Sequence, residues 1–353
     1  MTRTVVRRWA ARVAFGLGLT QTFTRAGDRW RVLRGNGGVS VGRRRRGAFL
    51  VLLYHRVNRA SAHFAIERTE TEAFRAQMEH LARHFHVMSL DDLVKRVTAG
   101  ESLPSRAVAI TFDDGYEDNY TDAYPILRKL GLPATVFLAT ASIGTGKSLW
   151  FDRVLDGFRT ARAHSIKLPG GESAEGLVDP MIRETMAHRA LYALMRLSNA
   201  ERETAIDTLL RNLGPEGPPN LPAMMTWDQV RLMAANGIDF GAHTMTHPIL
   251  SRLPLDEAEA EIVGSKRRIE EEIGTPVRLF AYPVGRRSDY SPEVIDLVAR
   301  SGFHAALTTT PTANLAGDDP FLLKRIKPLG DDLPSFALGL SAQYVTEWRQ
   351  AVP

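Results

Sequence analysis

The sequence predicts an α/β fold, namely a distorted (β/α) barrel of about seven strands that carries a helical insertion. Two observations lead to this prediction. Uncharged apolar runs of strand length, typical of strands covered on both faces, alternate along the chain with segments of helical spacing. The alternation fills a stretch of single-domain size, which favours a barrel over an open sheet.

The first half of this alternation begins directly after a run of four arginines. Its predicted elements are a strand at 48–54, a helix at 71–85, a helix capped by Ser89, a strand at 107–112, a helix that closes on Gly131, and a strand at 134–138.

The second half starts after residue 223. Its predicted elements are a helix opened by a capping box at 226–229, a short strand at 238–240, a helix at 255–273 that ends on Gly274, a strand at 277–282, a helix at 292–301 and a strand at 303–308. Between the halves, weak strand signals predict an insertion at about 141–222 on a βα loop. It either contributes to the rim of the active site or packs against the side of the barrel.

The chain therefore divides into a basic N-terminal arm at 1–47, a barrel at 48–330 and a C-terminal tail at 331–353. The first 50 residues contain twelve arginines and one acidic residue, a net charge of +11, whereas the rest of the chain is acidic at −6. Because the positive charge is confined to a leading arm, we expect no nucleic-acid binding. The apolar stretch of the arm is too short to span a bilayer, which leaves a weak signal sequence or a membrane-surface contact as alternatives.

The chain contains no cysteine, so any bound metal must be held by His, Asp or Glu. Asp113 and Asp114 follow the strand at 107–112, and Gly115 allows the backbone to turn sharply there. Two adjacent carboxylates repel each other unless a cation or a proton lies between them. The pattern by itself leaves two interpretations open, a surface turn or a site at the end of a buried strand.

A second group of residues follows the strand at 238–240. His243 and His247 are four residues apart, and two such imidazoles can bind one ion if the backbone makes a single turn. His80 and His84 have the same spacing on an amphipathic helix, where we predict that they face solvent. The first pair differs because it ends a βα unit, where Asp114 would complete a set of two histidines and one carboxylate.

Together these pieces resemble the NodB-like polysaccharide deacetylases, carbohydrate esterase family 4. The resemblance covers about residues 48–328 and rests on Thr-Phe-Asp-Asp-Gly at 111–115, His-Thr-Met-Thr-His-Pro at 243–248 and Phe-Ala-Tyr-Pro-Val-Gly at 280–285. It implies that Asp113 is the catalytic base. It also implies one divalent metal, which we expect to be zinc, bound by Asp114, His243 and His247.

The chain departs from the usual family pattern at the general acid and in the third run. His55 follows the first strand, which resembles the circularly permuted exopolysaccharide N-deacetylases and implies His55 as the general acid; a structural, hydrogen-bonded histidine is the alternative. The third run lacks the arginine that orients the catalytic aspartate, and we predict from its placement that Arg325 substitutes. The same run implies that Tyr282, Pro283 and Val284 face the substrate, with the Val284 N–H stabilising the oxyanion.

The predicted function is metal-dependent hydrolysis of N-acetyl groups on N-acetylhexosamine units of a polysaccharide or oligosaccharide, with release of acetate. The alternatives are an O-acetyl esterase on the same barrel and a catalytically silent carbohydrate-binding or assembly protein. The sequence contains no clear signal peptide. We therefore expect the protein in the bacterial cytoplasm or at the cytoplasmic membrane surface, with its basic arm attracted to anionic lipid.

Overall fold

The computed structural model describes residues 47–59, 67–328 and 332–350, and the predicted basic arm lies outside these residues. The strands are β1 (Ala48–Tyr54), β2 (Arg56–Asn58), β3 (Arg68–Glu70), β4 (His86–Val87), β5 (Ala107–Phe112), β6 (Thr135–Leu138), β7 (Ser165–Lys167), β8 (Ser173–Glu175), β9 (Asp239–Ala242), β10 (Leu279–Ala281), β11 (Ala305–Leu307) and β12 (Asn314–Leu315).

The α-helices are α1 (Thr71–His84), α2 (Leu90–Thr98), α3 (Tyr124–Leu130), α4 (Trp150–Arg159), α5 (Pro180–Leu194), α6 (Asn199–Leu213), α7 (Trp227–Ala235), α8 (Leu255–Ile273), α9 (Pro292–Arg300) and α10 (Leu333–Gln350). A π-helical turn at Asn119–Ala123 precedes α3, and 3₁₀ turns occur at Leu250–Arg252 and Pro320–Leu322. Within the described ranges, none of the helices combines the length and the apolar character that a bilayer span requires.

Seven strands form one curled sheet in the order β11, β10, β9, β6, β5, β1, β12, and the short β4 also pairs with β5. All neighbours are parallel except β12, which runs antiparallel to β1. The segment 323–326 bridges the two sides of the curl. The Ile326 N–H donates to the Val51 carbonyl of β1 at 2.8 Å, and the Leu323 N–H donates to the Ala306 carbonyl of β11 at 3.0 Å. The predicted distorted barrel is therefore confirmed.

The side chains of β1 alternate between two apolar cores. Leu50 and Leu52 pack in the larger core with residues of the surrounding helices, whereas Phe49 and Val51 pack with residues of β10 and β11. Because both faces of the strand are covered, its sequence is a continuous apolar run. The carboxyl ends of the parallel strands share one edge of the barrel, and the residues that follow β1, β5, β9 and β10 meet there.

The predicted insertion contains a core of its own. Helices α4, α5 and α6 pack together beside the antiparallel hairpin of β7 and β8. Phe158, Leu194 and Leu209 are among the residues buried there. This second core follows β6, so it extends from a βα loop at the carboxyl edge of the sheet.

The C-terminal segment that we predicted as a tail contains α10, which packs against α1. Phe336 and Leu340 lie four residues apart on one face of α10, and both are buried. The Phe336 ring meets His80 edge-on, with 6.2 Å between ring centroids, and His80 is only 7% exposed. The prediction that His80 faces solvent is therefore wrong, because α10 covers a face of α1 that the spacing within α1 cannot reveal.

Candidate metal centre and active site

Two adjacent aspartates stand where β5 ends. Asp113 and Asp114 are both buried, so the pair forms a site and not a surface turn. Asp114 has a φ of +75°, which breaks the extended backbone and ends the alternation of side chains along the strand. Gly115 follows at a φ of +90°, and a Cβ there would lie 2.7 Å from a methyl group of Leu138 on β6. Glycine is therefore required for this turn.

The loop after β9 holds the two histidines in a strained backbone. Thr244 and His247 have φ values of +66° and +57°. Glu261 on α8 fixes this loop, because its carboxylate accepts from the N–H of Met245 at 2.7 Å and from the N–H of Thr246 at 2.9 Å. The Thr246 hydroxyl donates to the same carboxylate at 2.5 Å. The sequence reasoning missed Glu261, since an acidic residue on a polar helix face carries no local signal of such a contact.

The end of β10 fixes the ring of His243. Its Nδ1 lies 2.7 Å from the carbonyl oxygen of Ala281. Because a carbonyl only accepts, this Nδ1 carries the proton and Nε2 keeps its lone pair. The Nε2 atoms of His243 and His247 each lie 3.6 Å from Oδ1 of Asp114, too far for hydrogen bonds. In the described part of the chain this buried Oδ1 has no hydrogen-bond partner.

Asp114, His243 and His247 thus offer three buried ligand atoms that lie within 4.8 Å of one another. A tetrahedral metal with bonds of about 2.0–2.2 Å separates its ligands by about 3.3–3.6 Å. The 3.6 Å spacings agree with that value. Two imidazole lone pairs and an unpartnered carboxylate oxygen therefore fit one divalent transition metal such as zinc.

The electrostatics of the three residues favour a bound cation. Burial lowers the pKa of His243 to about 4 and, together with the nearby His243, lowers the pKa of His247 well below its ordinary value. Both imidazoles are therefore neutral, which is the form that binds metal. Burial and the charge of Asp113 raise the pKa of Asp114 well above its ordinary value. A cation beside Asp114 would remove this penalty.

Asp113 has a cationic partner of its own. The Arg325 guanidinium donates from Nη1 to Oδ1 at 2.6 Å and from Nη2 to Oδ2 at 2.8 Å, a bidentate pair. Arg325 lies on the segment that bridges β1 and β11, and its Nε donates to the Thr308 carbonyl at 3.0 Å. Burial raises the pKa of Asp113, but the charge and hydrogen bonds of Arg325, together with the nearby His243 and His55, outweigh burial and hold this pKa below its ordinary value. Asp113 is therefore an anion.

His55 follows β1 at the level of Asp113, because β1 and β5 pair in parallel register. Its Nδ1 lies 3.1 Å from Oε2 of Glu67, at an angle that makes this a charge contact and not a directed hydrogen bond. Lys327 contacts the other carboxylate oxygen of Glu67. Burial lowers the pKa of His55, and the charge of Glu67 opposes this effect. The sequence reasoning missed Glu67, which the pairing of β2 with β3 brings beside His55.

The loop after β10 begins close to the metal ligands, since Ala281 bonds to His243. Val284 has a φ of +59°, an uncommon and strained conformation for a β-branched residue. Thr309 holds this loop, because its hydroxyl donates to the Val284 carbonyl at 2.9 Å. Among the described residues the Val284 N–H has no acceptor, so it is able to donate to an oxygen of a ligand.

The two residues before Val284 are buried and differ from the sequence expectation. Tyr282 is 0% exposed, stacks on Tyr290 with 4.5 Å between ring centroids, and donates its hydroxyl to the Phe321 carbonyl at 3.2 Å. Pro283 is likewise buried. The prediction that the Tyr282 side chain faces the substrate therefore needs correction, because this ring packs in the larger apolar core between the sheet and the surrounding helices.

The insertion contacts the metal loop directly. The Trp150 Nε1–H donates to the His247 carbonyl at 3.1 Å, and the Phe151 ring meets the His247 ring edge-on at 5.1 Å. Asp152, the next residue of α4, accepts from the Tyr116 hydroxyl at 2.9 Å. These residues were also missed at the sequence level. The first turn of α4 thus shields one side of the metal ligands from water.

A model of the polysaccharide deacetylase family matches residues 100–306, more than half of the chain. The chain belongs to the polysaccharide deacetylase family. This hydrolase is 22% identical over 278 residues to YxkH of Bacillus subtilis (strain 168), a protein named for the same family. The match covers 78% of this chain and 70% of that protein.

Shorter segments match enzymes named poly-beta-1,6-N-acetyl-D-glucosamine N-deacetylase. The Escherichia coli (strain K12) enzyme is 32% identical over 87 residues, 24% of this chain and 13% of that protein. The Staphylococcus epidermidis (strain RP62A) enzyme is 36% identical over 75 residues, 21% of this chain and 26% of that protein. The chain thus aligns with only a small part of each of these enzymes.

Two solved structures share the fold of this deacetylase. Streptococcus pyogenes deacetylase PplD, in complex with acetate, has a TM-score of 0.58 and 19% identity, covering 85% of this chain and 99% of that one. IcaB from Ammonifex degensii has a TM-score of 0.55 and 20% identity, covering 84% of this chain and 98% of that one. These structures show the shared fold, and the family resemblance that the motifs indicated is confirmed by the match to the family model.

Proposed function

We propose that this deacetylase uses one divalent metal, zinc in the first instance, to hydrolyse N-acetyl groups on N-acetylhexosamine units of a polysaccharide or oligosaccharide. One observation carries the proposal. Asp114, His243 and His247 present three converging, buried ligand atoms, while the neighbouring Asp113 is held outside that set by Arg325. A metal site and an independent carboxylate side by side are the parts that hydrolysis of an amide requires.

Asp114, His243 and His247 would hold the metal, which when bound lowers the pKa of a water molecule and polarises the acetamide carbonyl. Asp113 would accept the proton of the attacking water. Arg325 keeps Asp113 ionised and oriented through its two parallel hydrogen bonds. Because Arg325 also holds the pKa of Asp113 low, the carboxylate is a weak base on its own. Catalysis would therefore depend more on lowering the pKa of the attacking water than on the basicity of Asp113.

Two further groups would act on the acetyl and amine parts of the substrate. The N–H of Val284, fixed in its strained loop, would donate to the tetrahedral oxyanion. His55 would donate a proton to the departing sugar amine, and the carboxylate of Glu67 would favour the protonated imidazole. Glu67 in turn is held by Lys327.

The short matches to poly-beta-1,6-N-acetyl-D-glucosamine N-deacetylases support an N-acetylglucosamine polymer as the substrate. The decisive experiment measures acetate release from N-acetylated and O-acetylated oligosaccharides, with and without a chelator, and with zinc restored. We expect release from the N-acetylated substrate that is lost with chelator and recovered with zinc. Release from the O-acetylated substrate alone would favour an esterase, and no release from either would favour a carbohydrate-binding protein.

We also propose that the basic arm attracts the enzyme to anionic lipid at the cytoplasmic membrane surface. The net charge of +11 in the first 50 residues supports this, since each basic residue near such a surface contributes about 1 kcal/mol. Deleting residues 1–46 should move the protein from the membrane fraction to the soluble fraction. Unchanged partition would rule out the arm as the attachment.

A further inference from the structure

The insertion contacts the barrel at a second place besides Trp150, through Tyr192 and Arg286. The Arg286 guanidinium lies over the ring of Tyr192, 5.1 Å from its centroid, and donates to the Tyr192 hydroxyl at 3.3 Å. Tyr192 belongs to α5 of the insertion, whereas Arg286 follows Val284 by two residues. The pair therefore joins the insertion to the loop whose N–H faces the reaction.

Arg286 is fixed close to the reaction centre. Two residues span at most about 7 Å of chain, so its Cα lies within about 7 Å of the Cα of Val284. The loop is tightly packed at Gly285, which has a φ of +70° and where a Cβ would lie 3.0 Å from the Tyr282 carbonyl oxygen. The Thr309 N–H also donates to the Gly285 carbonyl at 2.9 Å. The Arg286 N–H also donates to Asp289 at 2.9 Å. A sugar next to the reacting one would lie within reach of its guanidinium.

Both members of the pair remain available to a ligand. Tyr192 is 58% exposed although its neighbour Leu191 is buried, so the ring stands on the solvent face of α5. Arg286 is exposed, and no carboxylate side chain of the described residues lies within ion-pair distance of it. An isolated exposed tyrosine is ordinary. Tyr192 differs because Arg286 holds its ring. The pair therefore offers a flat apolar face next to the several N–H donors of the guanidinium.

We infer that Tyr192 and Arg286 form a carbohydrate subsite that holds a sugar adjacent to the one undergoing deacetylation. The open face of Tyr192 stacks on the apolar face of the sugar ring, and Arg286 donates hydrogen bonds to its hydroxyl and acetamide oxygens. The inference rests on the proposed function and narrows it, because it makes a chain of linked sugars, and not a single N-acetylhexosamine, the preferred substrate. It also gives the insertion a role in substrate selection.

The test compares variants of the metal-loaded enzyme with N-acetylglucosamine oligosaccharides of increasing length, β-1,6-linked and β-1,4-linked. Ligand-observed NMR measures binding, and the acetate methyl signal of the same samples measures deacetylation. We expect Tyr192→Ala to weaken binding of the longer oligosaccharides by about 3- to 10-fold, more than it weakens binding of the disaccharide. Tyr192→Phe should keep most of the affinity, because it keeps the stacking face. Arg286→Ala should weaken binding in the same length-dependent way.

Met181→Ala and Arg189→Ala are matched controls. Met181 is 78% exposed on the same helix, and Arg189 is an exposed arginine of α5 that pairs with Glu172. Both should bind all oligosaccharides as the unchanged enzyme does. Binding by Tyr192→Ala that equals the control at every length would overturn the subsite, as would an unchanged enzyme that binds no oligosaccharide. Length-dependent binding without acetate release would uphold the subsite and contradict the proposed function.

Discussion

Two pairs of histidines in this molecule share a spacing of four residues and nearly the same distance between their rings. The ring centroids of His243 and His247 are 4.9 Å apart, and those of His80 and His84 are 4.7 Å apart. Each pair contains a buried ring. Only the first has a carboxylate oxygen beside both of its rings, and in the described ranges it forms the single cluster able to hold a metal.

The difference lies in the backbone and in what covers each pair. The loop with His243 and His247 follows a parallel strand, passes through left-handed conformations and is clamped by Glu261. The other pair sits on a regular helix whose buried side is covered by Phe336. Neither spacing nor burial therefore identifies a metal site. What sets the candidate metal site apart is a third residue able to bind metal, Asp114, which a different strand brings to the same edge of the barrel.

The largest effect should appear when one ring is removed from each pair in turn and the two variants are compared. His243→Ala should lose bound metal and reduce acetate release on the order of 10³-fold or more, since a catalytic metal supplies several kcal/mol of transition-state stabilisation. His80→Ala should keep its metal and lose only stability. Metal content by mass spectrometry, with acetate release, checks both. Equal metal loss in the two variants would break the comparison.

Asp113→Asn should separate the base from the metal ligands. We expect acetate release to fall by about 10²–10⁴-fold while bound metal is retained, because Asp113 bonds to Arg325 and lies outside the ligand set. The fully buried Arg325 would also lose its counter-charge, so thermal unfolding must be measured beside activity. A variant that stays folded and loses its metal would contradict this separation.

Glu261→Gln should loosen the histidine loop without touching a ligand. Its carboxylate holds two N–H groups and one hydroxyl of that loop, so we expect metal affinity to fall by about 10–100-fold. Glu259→Gln, on an exposed position of the same helix, is the matched control. Competition with a chromogenic chelator measures the affinity. Identical affinities in the two variants would show that the loop needs no clamp.

Glu67→Gln should change the pH dependence of turnover. The charge of Glu67 raises the pKa of His55 against the lowering effect of burial. A general acid must be protonated, so activity is lost as pH rises through its pKa. Removing the charge lowers that pKa and should move the alkaline fall of kcat/KM to lower pH. A profile that does not move would argue against His55 as the acid, or against Glu67 as its partner.

The smallest effect concerns the helical pair and is read from stability. Burial lowers the pKa of His80 from 6.5 to about 4, with the charge of His84 adding to this effect. The folded state therefore resists protonation, and the contribution of the neutral ring to stability is present above pH 6.5 and lost as pH falls from 6.5 to 4. Urea unfolding should show that the unchanged protein loses about 1–3 kcal/mol more over this range than His80→Leu. Parallel losses would mean that α10 does not bury His80 in solution.

The sequence by itself determined the class of fold and predicted the three candidate metal ligands. Both depend on local patterns, since a strand covered on both faces must be continuously apolar, and the residues after parallel strands must meet at one edge. The same reasoning predicted Arg325 from its position at the end of the barrel. Arg325 is 212 residues from Asp113 in sequence and pairs with it in the structure.

Only the tertiary structure decided which partners surround these residues. Glu67, Glu261 and Trp150 lie in segments whose sequence gives no sign of their contacts, and the buried orientation of Tyr282 depends on how the sheet packs against the surrounding helices. The burial of His80 depends on a helix about 250 residues further along the chain. Local periodicity encodes which face of an element is apolar, whereas the element that covers this face is selected by packing among distant segments, and no short pattern records that choice.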